Sequence, residues 1–122
     1  MIVDRCLDID EFIVFHEKYA TKDIARADDI LDNWDYHFCF YDEVTGELLG
    51  CIYLEDEDGK VMLSGFTKPK NYDNIIEAIQ WLSNFMRADT LYSRTKVKAA
   101  KLVLLRAGFK KIDDTLFVRK EF

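Results

Sequence analysis

Few side chains here could move a proton near neutral pH. His16 and His37 are the two histidines of the 122 residues. His16 lies in DIDEFIVFHEKYA, where Ile9, Phe12, Ile13 and His16 recur at i, i+3, i+4 and i+7. That spacing marks one face of a helix. His16 is thus a candidate catalytic residue on an apolar stripe, where a hydrogen-bonded core role competes with proton transfer. His37 alternates with aromatics on a strand and reads as structural. Tyr92, in TLYSR, has a hydroxyl that could serve as a general acid, although a strand tyrosine is commonly core or rim. Glu55, Asp56, Glu57 and Asp58 crowd a tight turn, where they are solvated and mutually repelling rather than tuned as a base. Cys6, Cys39 and Cys51 show no CxxC spacing, and His37 and Cys39 have no second ligand pair, so no metal site is expected.

A second kind of chemistry is anion binding. SGFTKPKNYDNIIEAIQWL, Ser64 to Leu82, reads as a strand end, a loop and a helix start. Such a junction offers free backbone N–H groups and the positive end of a helix dipole to a phosphate. Lys68 and Lys70 lie in the loop. No glycine occurs between Gly65 and Gly108, and Asp73 puts a carboxylate into the first helical turn. That carboxylate already satisfies the dipole and repels a second anion.

The elements that position these residues follow from period and punctuation. Apolar residues make up 49% and aromatics 14%, enough for one core in a single domain spanning 1–122. Asp8 is a candidate N-cap for the first helix, with Glu11 three residues on. A weaker, acidic helix is expected over Ile24–Leu31. YHFCFYDEV, ELLGCIYLED and KVMLSGFT are strands separated by VTGE and EDGK, both hairpin-type turns. Ile75, Ile79, Leu82 and Met86 stripe a helix, Asn74–Arg87, with Ala78, Trp81 and Phe85 beside them. TLYSR is a fifth strand, KVKAAKLVLLRA a helix closed by Gly108, and FKKI with LFVRKEF a final hairpin about Asp113–Asp114. The class is α/β (α+β), a mixed twisted sheet in the order β-α-α-β-β-β-α-β-α-β-β. The helix between strands four and five demands a crossover, which makes those strands parallel neighbours. The Asn74–Arg87 helix should cover one face and the first two helices the other. Ile75, Ile79, Leu82, Leu104 and Phe109 should be core.

Charge is divided along the chain. Residues 1–58 hold 17 acids and 4 bases, net −13, and residues 59–122 hold 6 acids and 13 bases, net +7. Arg87 to Lys111 carries eight bases against one acid, Asp89. Separate acidic and basic patches are expected, either of which could engage a protein partner. Nucleic acid is a poor fit, because only Tyr92 and Phe109 interleave the bases and the net charge is −6. No apolar run approaches the roughly 18–20 residues of a membrane span. No signal peptide opens the chain, and the cysteine usage suits a reducing cytoplasm.

The element order, together with AAKLVLLRAGFKKI, resembles the GNAT superfamily, the Gcn5-related N-acetyltransferases. Ala100 to Phe109 is similar to the family's N-x-x-A-x-x-x-Y-x-x-x-G-F segment. Pro69 sits where many members carry a proline before the cofactor loop. The resemblance implies an acetyl-CoA site whose pyrophosphate rests on an R/Q-x-x-G-x-G/A loop, with a tyrosine as general acid. It makes Lys68, Lys70, Tyr72 and Lys98 the candidates for cofactor contact. The family's first two helices border the acceptor site, which keeps His16 in view. Here the loop falls on YDNIIE, Tyr72 to Glu77, with Tyr72, Ile75 and Glu77 in place of the arginine and the small residues. The asparagine place is Val97 and the tyrosine place is Leu104, which has no proton to give.

These losses imply a GNAT-like fold with a degraded or remodelled acetyl-CoA site and no bound cofactor, acting through protein contacts. The LSGFTKPK stretch followed by a long helix also resembles the small GNAT-like proteins of tailed bacteriophages, which implies a virion component or a modulator of a host protein, in host cytoplasm or virion. The alternative is an active N-acetyltransferase that grips acetyl-CoA atypically. Enzymatic activity is therefore open, with the balance against it.

Overall fold

The computed structural model describes residues 1–86 and 90–120. Arg87 and Asp89, at the start of the basic stretch, lie outside the described residues, as do the side chains of Phe85 and Met86 on the expected stripe. The elements are β1 (Ile2–Asp4), α1 (Ile9–Tyr19), α2 (Ala27–Asp32), β2 (His37–Tyr41), β3 (Leu48–Glu57), β4 (Lys60–Thr67), α3 (Tyr72–Met86), β5 (Thr90–Arg94), α4 (Lys98–Arg106), β6 (Lys110–Lys111) and β7 (Leu116–Lys120). A single 3-10 turn, Trp34–Tyr36, leads into β2. One mixed sheet runs β1-β2-β3-β4-β5-β7-β6, with β4 and β5 parallel. The expected order and class are those found.

Local chemistry explains most boundaries. Asp8 caps α1, its Oδ1 accepting the Glu11 N–H at 3.1 Å. The β3–β4 hairpin turns on Asp58 and Gly59, with φ of 53° and 83°. Two positive φ values in a two-residue loop make the turn that matches strand twist. Gly108 ends α4 with φ of 94°, and the Phe109 N–H returns to the Leu104 carbonyl at 3.0 Å.

Each sheet face has its own core. α1 and α2 place Phe12, Phe15 and Ile30 over Cys39, Tyr41, Cys51, Tyr53 and Phe66. α3 and α4 place Ile75, Ala78, Ile79, Leu82, Val103 and Leu104 over Phe38, Phe40, Ile52, Leu54 and Leu63. Phe109 joins the second core, so the five residues expected inside are inside.

Three expectations are corrected. Ile9 is exposed, because the buried line of α1 is Phe12 and Phe15, both of which meet the Phe66 ring. α2 begins at Ala27 rather than Ile24. The Ala25 N–H donates to the Tyr53 hydroxyl at 2.9 Å and its carbonyl accepts from His16 Nε2 at 2.8 Å, which holds that backbone out of the helix. α3 begins at Tyr72, two residues before Asn74.

The three cysteines are free and buried. Burial pushes the Cys6 thiol up to about 11 and Cys51 well above the ordinary range, so neither is a nucleophile. His37 is fully buried between fixed partners. Its Nε2 accepts the Cys6 N–H at 3.1 Å and its Nδ1 donates to the Asn33 carbonyl at 3.3 Å. A carbonyl can only accept and an N–H can only donate, so the ring is neutral with its proton on Nδ1. Burial, helped by the Arg5 charge, lowers its pKa below the ordinary 6.5.

Two predictions follow from this backbone. A histidine with a depressed folded pKa stabilises fully above 6.5, and that stability is lost as pH falls through the folded value. One proton sets the limiting slope at about 1.4 kcal/mol per pH unit. Resistance to urea should therefore fall between pH 6.5 and 5, and His37→Gln should flatten that slope; an unchanged slope would assign it to other groups. The second concerns Lys70, which holds φ of 70° in the loop before α3. A left-handed residue with a Cβ costs about 1–2 kcal/mol, partly offset by glycine's greater freedom when unfolded. Lys70→Gly should raise stability by about 0.5–1 kcal/mol in urea titrations. A loss would mean that the lysine side chain holds the loop.

Candidate functional site

The sheet opens where its two halves meet. β3 and β4 pair over eight residue positions and β5 and β7 over five. Between them β4 and β5 share one pair, Met62 with Tyr92. The Ser93 hydroxyl then donates to the Leu63 carbonyl at 2.7 Å, closing the base of a gap. Beyond it the strands part around a cavity of about 210 Å³. The cavity reaches both faces: Tyr19 and Ile24 line it on the α1 side, and Ile79, Val103 and Leu104 on the α3–α4 side.

The gap exposes strand backbone. Leu63 turns its carbonyl toward β5, and alternation turns the Gly65 N–H and C=O the same way. Those groups face the cavity, which Gly65 lines. An extended ligand with amide groups can add to such an edge as a further strand. Gly65 is fixed by packing, because a Cβ there would lie 2.8 Å from the Cys51 carbonyl oxygen and 2.9 Å from Ile52 Cγ2.

Charged groups on the cavity wall are few. Asp23 is its one carboxylate among the described residues and Arg94 its one cation. Both sit at the mouth, beside a shallower depression bordered by Glu55, Asp56, Glu57, Lys22 and Lys96. The four-acid turn is partly committed to structure: Asp56 Oδ1 accepts the Gly59 N–H at 2.9 Å, and Glu57 pairs with Arg94 at 3.3 Å. Asp23 and the hydroxyls of Tyr19, Ser64 and Ser93 were not singled out by sequence spacing. They come from four separate elements or loops, and only the strand parting brings them together.

The junction before α3 holds bulky and charged side chains. α3 opens beside the cavity, and Tyr72 and Ile75 line it. Ile75 is 8% exposed and belongs to the core, so a bulky side chain occupies the place of the family's small residue. Asp73, in the first turn, receives Arg106 of α4 at 3.2 Å. The Lys68 ammonium is paired with Glu47. Lys70 and Lys98 are exposed and outside the cavity wall. Of the four candidate cofactor contacts, only Tyr72 lines the cavity.

The candidate acids and bases lie elsewhere. Tyr92 is half-buried, with the Lys60 ammonium 5.4 Å from its ring centre, and is not on the cavity wall. His16 donates from Nε2 to the Ala25 carbonyl and stands edge-on to Phe66, with ring centres 5.4 Å apart. It ties α1 to the segment before α2. Leu104 does line the cavity, in the place implied for the tyrosine acid. Among the described residues no group of His, Cys, Asp and Glu is arranged to hold a metal, and no helix is long and apolar enough to cross a membrane.

No protein-family model matches the chain, and no curated protein matches it by sequence. Solved structures do match. The chain is similar to smu.2055 from Streptococcus mutans UA159, with a TM-score of 0.73 and 14% identity over 98% of this chain and 99% of that one. It is similar to a chimera of Vibrio cholerae spermidine N-acetyltransferase SpeG with hSSAT, at 0.71 and 10% over 98% and 96%. It is also similar to an acetyltransferase of the GNAT family from Staphylococcus aureus Mu50, at 0.65 and 18% over 98% of each chain. At such identities the likeness is one of fold, and the fold is that of the GNAT acetyltransferases.

Proposed function

We propose that this chain is a GNAT-fold binding protein whose cofactor seat has been rebuilt, so that it works through protein contacts and not by acetyl transfer. The observation that carries this is the Asp73–Arg106 pair at the start of α3. A diphosphate bound there would meet a carboxylate in the first turn, and the cation best placed to receive it is already engaged. Leu104 adds a second argument, because it offers no proton to a leaving thiolate. The divided charge, −13 before residue 59 and +7 after it, supplies surfaces for a partner. In this reading the protein is a phage virion component or a modulator of a host protein, as the resemblance noted above implies.

A second reading, an active N-acetyltransferase, is favoured by the cavity. The parted strands and the open Gly65 backbone suit an extended, amide-bearing arm such as pantetheine. Asp23 is then the carboxylate nearest to hand for a cationic amine at the mouth.

Calorimetric titration with acetyl-CoA separates the two. The unmodified protein should show no saturable binding in the micromolar range. Each lost charge-assisted contact is worth roughly 1.5–3 kcal/mol. Asp73→Gly removes the anion and frees Arg106, so it should raise affinity at least about tenfold. Micromolar binding by the unmodified protein, with turnover abolished by Asp23→Asn, would overturn the proposal in favour of the acyltransferase.

A further inference from the structure

α4 is amphipathic in an unusual sense, because its solvent face is partly apolar. Val103 and Leu104 are buried, while Leu102 and Leu105 are 56% and 48% exposed. Lys98, Leu102 and Leu105 follow the i, i+4, i+7 spacing of one helix face, with Lys101 beside them. Ile112, also exposed, follows Lys110 and Lys111 just beyond the helix. The surface is thus an apolar strip edged with bases.

α1 presents the opposite. Phe12 and Phe15 are buried, and Asp10, Val14 and Glu17 share the same i, i+4, i+7 spacing on the outward face, with Glu11 and Lys18 beside Val14, so three acids and one base surround it. Val14 is 64% exposed, and Leu7 and Ile9 are exposed where the helix begins. No ion pair joins Asp10, Glu11, Glu17, Lys98 or Lys101 to another described residue. Each helix therefore carries a net charge, negative on α1 and positive on α4, whose named side chains form no ion pair with another described residue, around exposed apolar side chains. The two surfaces match in spacing and oppose in sign.

We infer that the partner for these faces is a second copy of this chain, docking α1 of one molecule on α4 of the next. This names a partner for the patch-mediated binding proposed above and rests on that reading. α1 and α4 pack on opposite faces of the sheet. One molecule therefore cannot offer both surfaces to the same neighbour, so the contact is head-to-tail and propagates into a ring or an open chain. The strip lacks aromatic side chains for base stacking or for a membrane interface, which favours protein over nucleic acid or lipid.

Sedimentation of the full chain tests this. The weight-average mass should climb above 14.4 kDa with concentration at low salt. It should fall back as the screening length shrinks from about 10 Å at 0.1 M salt to about 3 Å at 1 M. Lys98→Glu with Lys101→Glu makes both faces acidic, and Glu11→Lys with Glu17→Lys makes both basic. Either variant alone should stay monomeric while keeping its circular dichroism spectrum, and an equimolar mixture of the two should assemble again. A monomer at every salt and concentration overturns the inference, as does association that both variants retain. Binding of a monomeric protein to phosphatidylserine vesicles, lost in Lys98→Glu with Lys101→Glu, overturns it in favour of a lipid surface. Sedimentation reads self-association alone, so a monomer would leave the calorimetric test of the cofactor seat standing.

Discussion

The parting of β4 and β5 is the constraint on which the site depends. Each strand is tied firmly to its outer neighbour, and among the described residues the ladder between the two halves is a single pair, Met62 with Tyr92. Backbone polar groups left without a ladder partner are costly unless something else meets them. Here the Ser93 hydroxyl takes one, the Leu63 carbonyl. The groups beyond it face a cavity that water or a ligand can enter. The cavity is therefore a consequence of topology.

Cleft and proposed phosphate seat are built from different residues. The cleft is made by strand pairing and by large core side chains such as Ile79 and Leu104, which the fold needs for stability. The seat is made by a few residues at one helix end. Asp73 and Arg106 are both exposed there, and a surface pair of this kind contributes at most about 1 kcal/mol to stability. In the proposed reading its role is exclusion. The carboxylate occupies the positive end of α3, so an incoming anion gains little from the dipole and meets repulsion instead.

The fold was largely legible in the residues. Asp8 announced α1, Asp-Gly announced the β3–β4 hairpin, and Gly108 closed α4 where a left-handed cap was needed. Local chemistry decides such features, and local chemistry is what a sequence displays. The start of α2 was not legible, because Tyr53 and His16 pull Ala25 out of helix from other elements. The departures from the family pattern at Tyr72, Ile75 and Leu104 could be read by position. Asp23 and Ser93 could not, since neither carries a local signal and only the parted strands bring them to one wall. Lys70 shows a third case. The loop does contain a left-handed residue, but it is not a glycine, so counting glycines missed the turn.

The central claim is that the cleft remains while the diphosphate seat does not. Comparing the affinity of pantetheine with that of coenzyme A tests it most directly, because the two share the arm and differ in the nucleotide and its phosphates. Chemical-shift titration of the backbone N–H signals of Gly65 and Asp73 would report the two regions separately. Both ligands should shift Gly65 with similar weak affinity, and coenzyme A should gain no more than a few-fold over pantetheine. A gain of a hundredfold or more, equal to about 2.8 kcal/mol, with coenzyme A also shifting Asp73, would contradict it.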